Sequence, residues 1–280
     1  MLDLLHYEFM RNALLAGVLV SVACGVVGSL VVVNRLSSLS GGVAHAAYGG
    51  LGLAVFFRWP LLAGAMLFSL AASAVMGYVT VEKKERADTM VGVIWALGMA
   101  FGILMIDLTK GYFVDLMSFL FGSILAVPRE SIAFMAGLDV CILASTVLVY
   151  KELVALSYDE EFARISGVPV RALYYLVLAL IALCVVVLIR VVGLILVIAL
   201  FTIPASIAEL FTRKLSRIMI LSSLLGMAFT ITGLFLSYYF NLTSGATIIL
   251  VAGVCYFIAL LAKRVPKRMR PRAASAGGRP

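Results

Sequence analysis

Residues 218–262 read IMILSSLLGMAFTITGLFLSYYFNLTSGATIILVAGVCYFIALLA and contain no charged side chain. A helix needs about 20 apolar residues to cross ~30 Å of hydrocarbon, so this one run holds two membrane spans. YYFNLTSG, residues 238–245, supplies the polar hinge between them. The same signature recurs along the chain and predicts nine spans, at residues 12–33, 41–57, 60–80, 89–108, 131–150, 171–189, 191–211, 217–238 and 244–262. Residues 112–127 are apolar but short, which fits a re-entrant or interfacial helix or part of a tenth span. The expected fold class is therefore an all-α polytopic membrane protein with about nine transmembrane helices, in the range 8–10.

Composition agrees. The chain has 280 residues, 64% of them hydrophobic, and a mean hydropathy of +1.14, which excludes a soluble domain. Residues 1–262 read as one membrane domain and residues 263–280 as a basic, disordered tail. The opening MLDLLHYEFMRN lacks the basic start and cleavage site of a secretory signal and reads as a short interfacial helix. Cys24, Cys141, Cys184 and Cys255 fall singly in four apolar segments, so neither a disulfide framework nor a thiolate metal site is indicated. The 12 methionines are scattered, as core filler is, and trace no thioether path.

The net charge of +8 is concentrated beside the membrane. With the C-terminus in the cytoplasm, nine spans place 17 of the 22 Lys and Arg residues inside and 5 outside. Basic loops stay cytoplasmic, so this asymmetry sets the orientation and leaves the N-terminus external. The tail KRVPKRMRPRAASAGGRP then meets anionic lipid, and nucleic-acid binding is not expected. The localisation this implies is a multi-pass protein of the cell membrane.

The longest hydrophilic interior segment is KELVALSYDEEFARISGVPVR, residues 151–171. Ser157 or Asp159 can cap a helix start, and Asp159, Glu160 and Glu161 favour its positive end. Gly167 supplies the stop and Pro169 prevents continuation. A helix of about two turns results. It is either a connecting loop or a handle by which a cytoplasmic partner pushes on the membrane helices.

YDEEFARISGVPV resembles the cytoplasmic coupling segment of permease subunits in ABC importers for zinc and manganese. Three further stretches are similar to that family in the same order. They are MRNALLAGVLVSVACGVVGSLVVVNRLSSLSGGVAHAAYGGLGLA, then DLMSFLFGSILAV at residues 115–127, then VVGLILVIALFTIPASIAELF before a short basic turn. The resemblance covers residues 8–262 and implies a type II importer architecture. Two copies of the permease would form the pathway, two ATPase subunits would bind ATP beneath them, and an extracytoplasmic metal-binding protein would deliver the ion. The chain carries no G-x-x-x-x-G-K-[ST] phosphate loop, so it is not expected to be an enzyme or to hold a cofactor of its own. The coupling role would fall on Asp159, Glu160, Glu161, Phe162, Ala163, Arg164 and Gly167.

A divalent cation crossing a membrane needs oxygen or nitrogen ligands, and ionisable groups there are costly enough to be functional candidates. They are His45 in the second span, Asp139 inside the fifth and Glu209 near the end of the seventh, with Asp107 and Asp115 flanking the loop after the fourth. On a helix Gly41, Tyr48, Gly49 and Gly52 share the face of His45, leaving a strip bare of bulk except for Tyr48. Alone, such a histidine is more often a hydrogen-bonded packing residue; the resemblance favours metal in transit, and an imidazole suits zinc and accepts manganese. Many members of the family carry an acidic residue four positions before this histidine, where Gly41 stands here. His45 therefore reads as a stepping point or gate, to be completed by Asp139, Glu209 or His45 of a second copy. Asp139 can instead bond neighbouring hydroxyls, Glu209 can pair with Arg213 at i+4, and Asp115 can cap a helix.

The function expected is the homodimeric permease of an ATP-driven importer for zinc or manganese, with iron as a further cargo. A permease for iron–siderophore or cobalamin is one alternative. A stand-alone proton-coupled transporter using Asp139 and His45 as a relay is the other.

Overall fold

The computed structural model describes residues 7–82, 87–109, 122 and 124–264, and all regular structure among them is helical. In chain order the helices are α1 (Glu8–Val33), α2 (Ser37–Phe57), α3 (Leu61–Glu82), α4 (Ala87–Asp107), α5 (Arg129–Leu148), α6 (Tyr150–Tyr158), α7 (Glu160–Ile165), α8 (Val170–Val192), α9 (Leu194–Phe211), α10 (Leu215–Phe240) and α11 (Ser244–Arg264). Nine of these are long and apolar enough to cross a membrane, and each corresponds to one expected span. Residues 8–12 of the expected N-terminal interfacial helix are instead the start of α1, while residues 1–6, Asp115, most of the 112–127 segment and the tail from 265 onward lie outside the described residues; a single 3₁₀ turn at Ile124–Ala126 is described.

Two boundaries differ from expectation, each for a local reason. The break between the sixth and seventh spans falls at Gly193 and not at Arg190. Gly193 has φ 81° and ψ 159°, a region open essentially to glycine alone, so the chain can reverse there and nowhere nearby. The fifth span does not simply run out into a loop. α5 ends at Leu148, Val149 with its ψ of 25° bends the chain, and α6 continues helically for nine residues before α7.

α1, α2 and α8 occupy the centre, with 72%, 78% and 67% of their spanning windows buried, whereas α4, α5 and α11 show 22%, 22% and 28%. α1 packs against α10, α9 and α5, while α2, α3 and α4 form a second group joined to the first through α8. Leu97, Leu104, Val140, Val147 and Leu250 point outward, the apolar surface that a lipid environment requires. Lipid tails are as apolar as leucine, so close packing and interhelical hydrogen bonds hold such helices together. Across the α1–α10 contact Ser29 donates to Ser222 at 3.3 Å, and Ser21 and Thr230 hydroxyls approach to 3.4 Å.

The tightest seam joins α2 and α4. Ser38 meets Asp88, Gly42 faces Val91, His45 meets Trp95 and Gly52 abuts Gly102, so the two helices run parallel in matched register. A Cβ at Gly52 would overlap the Gly102 carbonyl, and one at Gly102 would overlap the Tyr48 carbonyl. The absence of side chains is what lets the two backbones touch.

Candidate metal pathway and coupling segment

His45 sits on this seam, two helical turns (~10 Å) from Ser38 at the α7 end of the bundle. Its ring is half-buried and stacks on Trp95 of α4, with centroids 4.5 Å apart and planes 24° from parallel. The indole Nε1 in turn donates to the Met99 sulfur at 3.0 Å, which fixes the ring. His45 Nδ1 is buried without a hydrogen-bond partner. One turn earlier, a Cβ at Gly41 would meet nothing within 4 Å, so the space where a neighbouring ligand would stand is open.

Asp139 lies elsewhere. Midway along α5 it is 6% exposed, packs toward α1 and α8, and its Oδ2 is buried without a partner. Nearby, Cys184 of α8 lies beside Cys24 of α1, both side chains buried. Two cysteines that look isolated in sequence are therefore neighbours in space, both as free thiols. Glu209 is exposed at the end of α9, and the helix stops at Phe211, so Arg213 is not one turn further along the same face. Among the described residues no three His, Cys, Asp or Glu side chains converge to hold a metal ion. His45, Asp139 and Glu209 thus stand on three different helices and form no common ligand set within one chain. Asp115 lies outside the described residues.

The α6–α7 segment is built as its sequence dictates. Asp159 caps α7 by accepting from the Phe162 N–H at 2.8 Å, and Arg164 pairs with Glu160 at 2.7 Å, one turn apart. Ser157, the other candidate cap, instead accepts from Asn34 Nδ2 at 3.1 Å. Gly167 ends the turn with φ 79°. Ala163 is fully buried against Leu156, Val170 and Leu173, while Phe162 and Ile165, 61% and 87% exposed, point away from the bundle with Glu161. Two large apolar side chains on a short exposed helix are what a protein partner would cover.

Two tyrosines of α6 reach the turn between α9 and α10. Tyr158 donates its hydroxyl proton to the Arg213 carbonyl, and the Ser216 N–H donates to Tyr150 Oη at 3.0 Å. Burial first, then the nearby Tyr150 and Glu209, push the Tyr158 phenol above its ordinary range, so it remains a protonated donor. Beside α7 a polar cleft of about 650 Å³ opens between Arg35, Ser38, Asp88, Glu160, Arg164 and Arg171. Residue spacing had shown the capped helix but not Tyr150, Tyr158, Asn34 or Trp95, whose partners are distant in the chain.

Comparison with known proteins places this arrangement. The sequence profile of the ABC 3 transport family matches residues 6–263. The uncharacterized membrane protein slr2045 of Synechocystis is 53% identical over 264 residues, 94% of each chain. The manganese transport system membrane protein MntC of Listeria monocytogenes is 34% identical over 258 residues, 92% of each. The solved structure of PsaBC from Streptococcus pneumoniae in complex with Fab superposes with a TM-score of 0.85 at 30% identity, covering 96% of this chain and 98% of that one. With its nine apolar helices in the same arrangement, the chain belongs to the ABC 3 transport family, as a multi-pass membrane permease.

Proposed function

We propose that this permease imports a divalent transition metal, manganese or zinc, as two copies around a central pathway driven by a partner ATPase. The observation that carries this reading is the 34% identity, over 92% of both chains, to a protein named for manganese transport. In this reading an extracytoplasmic binding protein delivers the ion, and the C-terminal end and α7 face the cytoplasm. The ATPase subunit docks on Glu161, Phe162, Arg164, Ile165 and the turn at Gly167. Asp159 and Glu160 hold that helix in shape, and Ala163 anchors it to α8.

His45 offers the ion one imidazole and an open space at Gly41. A single nitrogen ligand binds weakly and releases readily, as a conduit requires, while selectivity can reside in the delivery protein. Asp139 lies away from this seam and contributes at a separate step; Glu209, near the end of α9, and Asp115 serve entry or exit.

Reconstitution of the permease with its ATPase in liposomes tests the reading. Manganese or zinc uptake is expected only with ATP and both subunits. Uptake by the permease alone, driven by a proton gradient, contradicts it.

A further inference from the structure

We infer that Tyr150, Tyr158 and Asn34 are positioning residues that yoke the α6–α7 segment to two separate parts of the bundle, so that one push on α7 moves both. This inference rests on the reading of the chain as an ATP-driven permease. The attachments are on three sides. Tyr158 and Tyr150 of α6 bond the Arg213 carbonyl and the Ser216 N–H, which flank the start of α10. Asn34, in the turn from α1 to α2, holds Ser157 at 3.1 Å while also donating to the Leu30 carbonyl at 2.8 Å. Ala163, Leu156, Val170 and Leu173 form a small apolar cluster that fixes α7 to the start of α8. Leu153, fully buried, seats α6 itself in the main core.

The consequence is mechanical. α6 cannot shift without loading both the α1–α2 turn, through Asn34, and the α9–α10 turn, through Arg213 and Ser216. The α1–α2 turn leads directly into α2, whose seam with α4 runs from Ser38 up to His45 in unbroken register. Closely packed helices move as bodies, so displacement at Asn34 is delivered at His45 with little loss. Phe162 and Ile165 receive the push, and the tyrosines and Asn34 distribute it. α6 is the part that spacing did not show, and it is the lever.

Two measurements test this on Tyr158→Phe and Asn34→Ala, with Tyr158→Phe removing a single oxygen. In the isolated permease in lipid nanodiscs, hydrogen exchange of residues 157–168 is expected to quicken by about fivefold in Tyr158→Phe, the loss of one net hydrogen bond. In the reconstituted complex, metal imported per ATP hydrolysed is expected to fall by about fivefold or more in each variant, with the ATPase subunit still bound. Unchanged exchange overturns the yoke, and so does faster exchange with an unchanged transport-to-hydrolysis ratio. Loss of the ATPase subunit from either variant also overturns it, because the bonds would then serve assembly. Absence of ATP-driven uptake by the unmodified complex refutes the proposed function instead, and the exchange measurement still decides whether the yoke exists.

Discussion

The imidazole of His45 on α2 stacks against the indole of Trp95 on α4, centroids 4.5 Å apart, two turns before the Gly52–Gly102 contact where the two parallel backbones touch. One face of the ring is thereby closed by an aromatic neighbour, and a ligand has to approach from the other side or the edge.

Trp95→Ala removes that wall. An aromatic pair is worth roughly 0.5–1.5 kcal/mol, so freeing the ring should raise the KM for metal by about threefold to tenfold, while Trp95→Phe stays close to the parent. Uptake kinetics of the two variants in proteoliposomes check this, and equal KM values for Ala and Phe speak against a role for the stack.

Gly41→Asp adds a carboxylate one turn before His45, where a Cβ meets nothing within 4 Å. An i, i+4 carboxylate–imidazole pair is a better divalent site than imidazole alone, so metal retention should tighten by about tenfold and turnover should slow. Calorimetry on the purified permease measures the first and uptake the second.

Asp159→Ala removes the cap that accepts from Phe162 N–H. The loss of roughly 1 kcal/mol should loosen α7 and weaken ATPase binding by about fivefold, whereas Asp159→Asn keeps the capping oxygen and should restore it. Titration of the ATPase subunit against the permease in detergent reads the difference.

Gly102→Leu forces a side chain onto the Tyr48 carbonyl. Overpacking of this kind, with no flexible neighbour to yield, should cost about 3 kcal/mol and lower the thermal midpoint sharply. Gly137→Ala, where a Cβ meets nothing within 4 Å, is the matched control and should leave the midpoint unchanged.

Charge-free windows marked nine spans because a bilayer imposes one length on every crossing, and the observed helices correspond to each. The capped α7 was equally plain, since Asp159 and Gly167 act within a few residues of themselves. What distance in the chain separates, local pattern does not reveal. Trp95 meets His45, and Cys24 meets Cys184, through the register of packed helices. The Glu209–Arg213 pairing failed because α9 stops at Phe211, and α6 was missed because one bend at Val149 divides two helical stretches. Asp139 stands midway along the spanning helix α5, and its surroundings on α1 and α8 follow from folding alone.

His45 is the proposed contact for metal in transit. The direct measurement is ATP-driven uptake of radioactive manganese and zinc by the reconstituted complex, compared between the parent and His45→Ala at matched protein and ATPase content. Loss of one imidazole ligand should lower uptake efficiency by about tenfold while ATPase binding is retained. Uptake kinetics that do not change contradict it.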